Sequence, residues 1–272
     1  MNTGVEHTCK SCGHSFSGIY CNQCGEKILL PSDRSFKKLL NNILITITFA
    51  DSKFLKALIL VIIKPGFLSR EFAEGRTVKY LKPISLFLVL NLIYFFFPVI
   101  QLFNASLNTQ LLSPLGGYYQ NFIAAKMVAL HLDVNSFSLI YNLKTTGYAK
   151  LMVMVFALIA SLPLNLFYYK RNRYFTDHVG LMVELACFNL FINAILLTLI
   201  VSLAGLGKYL DELVLTIIFV SANLYFLLRA SKIFYSEKGP LLIMKSAIMI
   251  LFLKVSLECY RCVLFFVTLW SL

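Results

Sequence analysis

Cys9, Cys12, Cys21 and Cys24 form two C-x-x-C pairs separated by eight residues. Each pair can grip one ion from a tight knuckle, and two knuckles close the four-sulfur tetrahedron that Zn²⁺ prefers. Gly13 and Gly25 each follow the second cysteine of a pair, where a backbone free to take positive φ lets amides turn towards the sulfurs. A segment this short cannot bury a self-sufficient core. A structural metal, worth about 10–16 kcal/mol in comparable small sites, would supply the missing folding energy. The expected module is a structural zinc ribbon over residues 1–28, with His7 and His14 as substitute ligands. Two disulfides are the alternative in an oxidising compartment. Redox chemistry is a third reading, although a redox C-x-x-C normally comes as one pair on a βαβ background. Four sulfurs leave no open coordination position, so the ribbon reads as a folding device or a docking knob.

A second group of reactive side chains lies in apolar sequence. Lys254, Glu258 and Arg261, at i, i+4 and i+7, share one helical stripe, so Glu258 can pair with both cations. Glu184, Asn189 and Asn193 add a carboxyl group and two amides, with Asn91, Asn165 and Asn223 elsewhere. Ionisable groups in membrane helices are expensive and mark sites by default. The two readings are a neutralised triad that packs one helix against its bundle, and a polar lining for a proton, ion or lipid headgroup. Cys259 and Cys262 repeat the C-x-x-C spacing inside a helical stretch, where they read as small hydrophobes. No nucleophile–base pair, H-E-x-x-H, phosphate loop or paired catalytic acids stand out, and His131 and His178 are isolated. No enzyme is expected.

The elements that must carry these residues are membrane helices. Of 272 residues, 58% are hydrophobic and 14% charged, against roughly 25% charged in soluble domains. Mean hydropathy is +0.75. The run "ISLFLVLNLIYFFFPVIQLF" exceeds the roughly 18 apolar residues that suggest a span. The expected fold is an all-α polytopic bundle of five spans near 82–103, 148–169, 183–205, 210–233 and 243–270, behind the small ribbon. Pro163 should kink the second span. The connection 104–147 should hold one or two amphipathic helices on the outer face, with a sixth, broken span as the alternative. Net charge is +12, which reflects Lys and Arg on cytoplasmic flanks rather than nucleic-acid binding. Arginine and lysine crowd the segment up to Lys82, the stretch Lys170–Arg173 and the stretch Arg229–Lys245. Those connections are expected on the cytoplasmic side of a bacterial inner membrane, with the N-terminus beside them in a reducing compartment.

Residues 29–81 link ribbon to bundle (82–272). A helix is expected to start at Ser32 or Asp33. The apolar run between Lys56 and Lys64 is too short to span and suggests an interfacial or re-entrant helix, which Pro65-Gly66 stops. Arg70, Arg76, Lys79 and Lys82, with Glu71 and Glu74, form a collar. It reads as ordinary snorkelling charge or as contacts for anionic lipid headgroups or a partner protein.

The pattern "CxxCG…YCxxCGE" followed by "FADSKFLKALILVIIKPGFLSREFAEGRTVKYLKP" resembles the bacterial domain-of-unknown-function 3667 membrane proteins. The family pattern falls on Pro65, Gly66, Arg70, Glu71, Gly75, Arg76, Tyr80 and Pro83. Phe72 stands where Tyr is usual, and Glu74-Gly75-Arg76 lacks the Lys of Gly-Lys-Arg. "YFTDHVGLMVELACF" is similar to a second family segment and places His178, while Glu184 stands where a further His is frequent. The resemblance implies an architecture and no activity. Three functions compete: a scaffold presenting the ribbon to a cytoplasmic protein partner, a transporter or lipid-handling protein working around Glu258, and an intramembrane enzyme. Lipid bilayer contacts and a homo-oligomer complete the expected partners.

Overall fold

The computed structural model describes residues 6–9, 12–25, 52–76, 80–97, 100, 103–171, 173–205 and 212–272. Lys79, Lys208 and the expected helix start at Ser32 or Asp33 lie outside them. The chain divides into two compact units, residues 1–52 and 53–272.

In the first unit, β1 (Glu6–Thr8) and β2 (Ser15–Ser17) pair antiparallel, with His7 opposite Phe16. Phe16, Cys9 and Cys21 form its small buried centre. Among the described residues, so little apolar area cannot hold a fold by itself, and a metal on the four sulfurs would add stability.

The second unit is helical. It begins with α1 (Ser52–Ile63), α2 (Phe67–Ala73) and α3 (Pro83–Phe96). Three further helices follow: α4 (Leu107–Leu111), α5 (Gly116–Leu130) and α6 (Val134–Leu151). Next come α7 (Val153–Phe167) and α8 (Phe175–Asn189). A π-helical segment, Leu190–Leu196, joins α8 to α9 (Leu197–Ala204). The unit ends with α10 (Glu212–Phe234) and α11 (Pro240–Ser271).

Its polarity is inverted relative to a water-soluble domain. Leu88 and Leu92 on α3, and Leu158, Leu162 and Leu166 on α7, face outward. Glu184, Asn189, Asn193, Asn223 and His178 are buried. Large exposed apolar faces around an apolar core that also encloses several polar side chains suit hydrocarbon as the solvent. This is the expected all-α membrane bundle.

Among the described residues, three helices are long and apolar enough to cross a bilayer: Phe175–Ala204, Leu213–Phe234 and Pro240–Ser271. The other two expected spans contain shorter apolar helices. α3 has 14 residues and α7 has 15, about 21–23 Å at 1.5 Å per residue, short of a hydrocarbon core of roughly 30 Å. α3 stops because Phe97, ahead of Pro98, is extended at φ −100 and ψ 145, as residues before proline prefer. α7 is cut from α6 by Met152 at φ −91 and ψ 6. Pro163 lies inside α7.

The 104–147 connection folds into α4, α5 and most of α6, with α5 and α6 bent by 105° into a broken span or re-entrant loop. The bend has a local cause. His131 takes the left-handed position at φ 53, and its amide and that of Leu132 close on Val128 and Met127 at 3.2 and 3.1 Å, completing a Schellman-type stop. Asp133 then caps α6 by accepting from the Asn135 and Ser136 amides. This layer packs on the end of α11, with Tyr119 stacked on Phe265 at 4.1 Å and the Lys144 ammonium donating to the Ser271 carbonyl.

α1 buries Ala57, Leu58 and Val61 in the main core and exposes Leu55, Ile59 and Ile63. Lys53 and Lys56, near its start, are exposed as well, so the apolar outward face is strongest towards its C-terminal half. Lys64, Pro65 and Gly66 reverse the chain into α2. Gly66 sits at φ +82, and a Cβ there would lie 2.9 Å from the Ala230 Cα on α10. Both the dihedral and the close approach require glycine. Gly66→Ala should cost about 1–3 kcal/mol through strain and overpacking. The check is thermal unfolding in detergent, where adding Ala230→Gly should restore only part of the loss, because the dihedral strain stays.

Candidate functional site

Two places gather chemistry-bearing side chains: the thiol cluster of the first unit and a buried carboxyl group of the second.

The Sγ atoms of Cys9, Cys12, Cys21 and Cys24 lie within 4.8 Å of one another. The closest approaches run between knuckles, Cys9 to Cys24 at 3.4 Å and Cys12 to Cys21 at 3.7 Å. All four are free thiols, far from the roughly 2.05 Å of an S–S bond. A tetrahedron with metal–sulfur bonds of about 2.3 Å has sulfur–sulfur edges of about 3.8 Å, so this donor set fits one metal ion. Gly13 and Gly25 carry φ of +73 and +76, and their amides return to the Cys9 and Cys21 carbonyls at 2.9 Å each. The Cys24 amide directed at Cys21 lowers that thiol's pKa below its ordinary value, which favours the thiolate a metal needs.

In the second unit, Glu184 on α8 is fully buried. Its Oε1 accepts from the Gly66 amide at 2.8 Å. Its Oε2 accepts from the Ser69 amide at 2.8 Å and the Ser69 hydroxyl at 2.5 Å. The carboxyl group therefore caps the first turn of α2, where helix amides lack partners of their own. Two further contacts fix the same hairpin. The Tyr225 hydroxyl donates to the Ile62 carbonyl at 2.9 Å, and the Cys187 thiol lies 3.7 Å from the Pro83 carbonyl.

Asn189 and Asn193 join Asn223 of α10 in a closed amide network. Asn189 Nδ2 donates to Asn223 Oδ1 at 2.9 Å, and Asn223 Nδ2 returns the bond to Asn189 Oδ1 at 3.0 Å. Asn193 Nδ2 adds a third bond, to Asn189 Oδ1 at 2.7 Å. Asn193 Oδ1 has no hydrogen-bond partner among the described residues. Asn193 lies within the π segment. Buried amide pairs of this kind are the ordinary cement of membrane bundles.

His178 donates to or accepts from the Tyr235 hydroxyl through Nδ1 at 2.6 Å. Tyr235 stacks on Tyr168 at 3.6 Å, and Lys245 stands over the Tyr168 ring at 4.6 Å. Glu237 is gripped by Lys245 at 2.5 Å and Arg171 at 2.8 Å. Its pKa is held below the usual range, first by the Lys245 hydrogen bond. His178 thus ties α8 to the α10–α11 connection through Nδ1, while its buried Nε2 has no hydrogen-bond partner among the described residues.

The collar is largely self-neutralised. Arg76 meets Glu71 and Glu74 at 2.5 Å each, and Arg70 meets Glu74 at 2.9 Å. The Arg76 bond lowers the Glu71 pKa, and the Arg70 bond lowers that of Glu74. Lys82 stands 5.8 Å over the Phe72 ring. The other motif residues are structural as well. Gly75, at φ +80, ends α2 as Arg76 and Gly75 amides reach Glu71 and Phe72 carbonyls. Tyr80 meets Phe67 edge-on at 5.5 Å, and Pro83 opens α3.

On α11, Glu258 pairs with Lys254 at 2.8 Å and Arg261 at 3.2 Å, as the spacing implies. The structure does not join this triad to Glu184, whose hydrogen-bond partners are Gly66 and Ser69. Ser69, Ala230, Tyr235 and Glu237 were not legible as site residues, because each acquires its role from a partner more than fifty positions away or from a turn formed elsewhere.

Together these features define a helical membrane protein with a four-cysteine cluster that could hold a metal ion. Residues 51–95, from the start of α1 almost to the end of α3, match the family described as "Protein of unknown function (DUF3667)", so the resemblance is borne out over the hairpin that Glu184 holds. No curated protein and no solved structure matches the chain.

Glu184→Gln places an NH₂ group where a second acceptor is needed, leaving a donor of Gly66 or Ser69 unpaired, at a cost of about 1–3 kcal/mol. The expected outcome in detergent is a lower unfolding temperature and faster tryptic cleavage at Arg70 and Arg76, with α11 cut no faster.

Proposed function

We propose that the protein is a membrane-anchored scaffold of the bacterial inner membrane whose ribbon, folded by zinc on the cytoplasmic side, docks a protein partner. The observation that carries this reading is the closed thiol cluster on a unit of its own. Four sulfurs fill a tetrahedral ion and leave no position for substrate, while Ile19 and Tyr20 between the knuckles are 49% and 61% exposed. An apolar pair on so small a surface suits a docking contact better than catalysis. Zinc is favoured over other ions by the all-thiolate set and by its preference for tetrahedral geometry. The cytoplasmic assignment rests on the basic connections at Lys170–Arg173 and Arg229–Lys245, and on thiols that need a reducing compartment.

The transport reading around Glu258 has less support. Lys254 is 66% exposed and Glu258 25%, which suits a surface stripe better than an enclosed route. Lys82, left outside the collar's ion pairs, is the strongest candidate for an anionic headgroup.

Purified full-length protein should contain about one zinc per chain by mass spectrometry of metals, and Cys21→Ser should lose it while the bundle still inserts. Metal retention should fall as the pH is lowered, because protons compete for the thiolates. Crosslinked partners should disappear with Cys21→Ser and persist with Glu258→Gln. An unchanged partner set, or labelling of the first residues from outside intact cells, would refute the scaffold reading.

A further inference from the structure

The outward faces of α3 and α7 are apolar, as acyl chains require. α11 differs. Met244, Ala247, Leu251, Lys254 and Glu258 recur at steps of three, four, three and four residues, the 3.5-residue repeat of a helix–helix seam. The first four are exposed, Leu251 at 68%. At 1.5 Å per residue Lys254 lies about 21 Å from Pro240 on a helix about 48 Å long, so the Lys254–Glu258 pair straddles its middle. Acyl chains offer no hydrogen bonds to the remaining protons and lone pairs of such a pair, and ionisable side chains at this depth normally face protein or water.

We propose that this stripe is the interface of a homodimer, with α11 of a second copy packed parallel to it. Copies inserted in the same sense can be related only by a two-fold axis along the membrane normal, which brings the same stripe to both sides. The stripe is self-complementary in charge, with a cation and an anion one turn apart. Lys254 therefore reaches the partner's Glu258, and Glu258 receives the partner's Lys254, while Leu251 and Met244 pack below them. A second copy satisfies the ion pair where lipid does not. The proposal does not depend on the ribbon.

The test uses full-length protein in native membrane vesicles, with Cys259 and Cys262 replaced by Ser. Leu251→Cys treated with a short bismaleimide should give a covalent product of twice the chain mass. Leu199→Cys, exposed on α9, should not. Lys254→Glu should reduce the Leu251→Cys product at least tenfold, and adding Glu258→Lys should restore it, which separates a broken interface from a misfolded chain. A product of single-chain mass, a product joined to a different protein such as a helix carrying a carboxylate, an equal yield from Leu199→Cys, or no rescue by the double exchange would each overturn the homodimer.

Discussion

The membrane unit depends on one carboxyl group held in an apolar interior. An ionisable group buried in a bundle is costly unless its lone pairs are filled. Glu184 fills them with two amides and a hydroxyl, all from a segment more than a hundred residues earlier. Gly66 and Ser69 would themselves be buried donors without acceptors if Glu184 were absent. Each side removes the other's desolvation penalty, so the contact specifies which hairpin docks on α8 and at what height. The glycine is bound into the same logic. Only a residue without Cβ allows the chain to pass Ala230 closely enough for the Gly66 amide to reach Oε1.

The family match covers the segment that Glu184 holds. The matched segment comprises α1, the Pro65-Gly66 reversal, α2, the Tyr80–Pro83 corner and α3. It is one local structural unit, and its residue types follow from short-range geometry: glycine for positive φ at 66 and 75, proline at the first turn of α3, acid–base pairs across α2. Its receptor, by contrast, is assembled from distant positions: the Glu184 carboxyl group on α8 and the small Ala230 on α10.

The same contrast sets what was legible in the sequence. The thiol cluster was legible because its four ligands lie within sixteen positions and two knuckles have little freedom. The apolar helices were legible because hydrocarbon imposes composition on every turn. Their ends were less so. α3 and α7 are shorter than the apolar runs that contain them, since Phe97 and Met152 leave helical geometry for local reasons that hydropathy does not register. The partners of Glu184 and His178 were hidden. Both carried the mark of a site, a polar group in an apolar run, but spacing along the chain says nothing about Ser69 or Tyr235. Glu184 and Glu258 looked alike in sequence, and the structure gives one a buried backbone turn and the other an exposed lysine and a largely buried arginine on its own helix.

Those two carboxyl groups divide the labour of the bundle. An interior polar group in hydrocarbon must be satisfied within its own chain, and Glu184 is, so it acts to fix a fold. Glu258 is satisfied by neighbours on its own helix, so it fixes no contact between helices of the described bundle. What remains is the cost of a charged pair at the middle of an apolar helix, which here falls on the outer side of α11. The exposed Lys254 puts that cost on an α11 stripe of 3.5-residue repeat, a repeat that Leu213, Ile217, Val220 and Leu224 of α10 follow with apolar side chains alone.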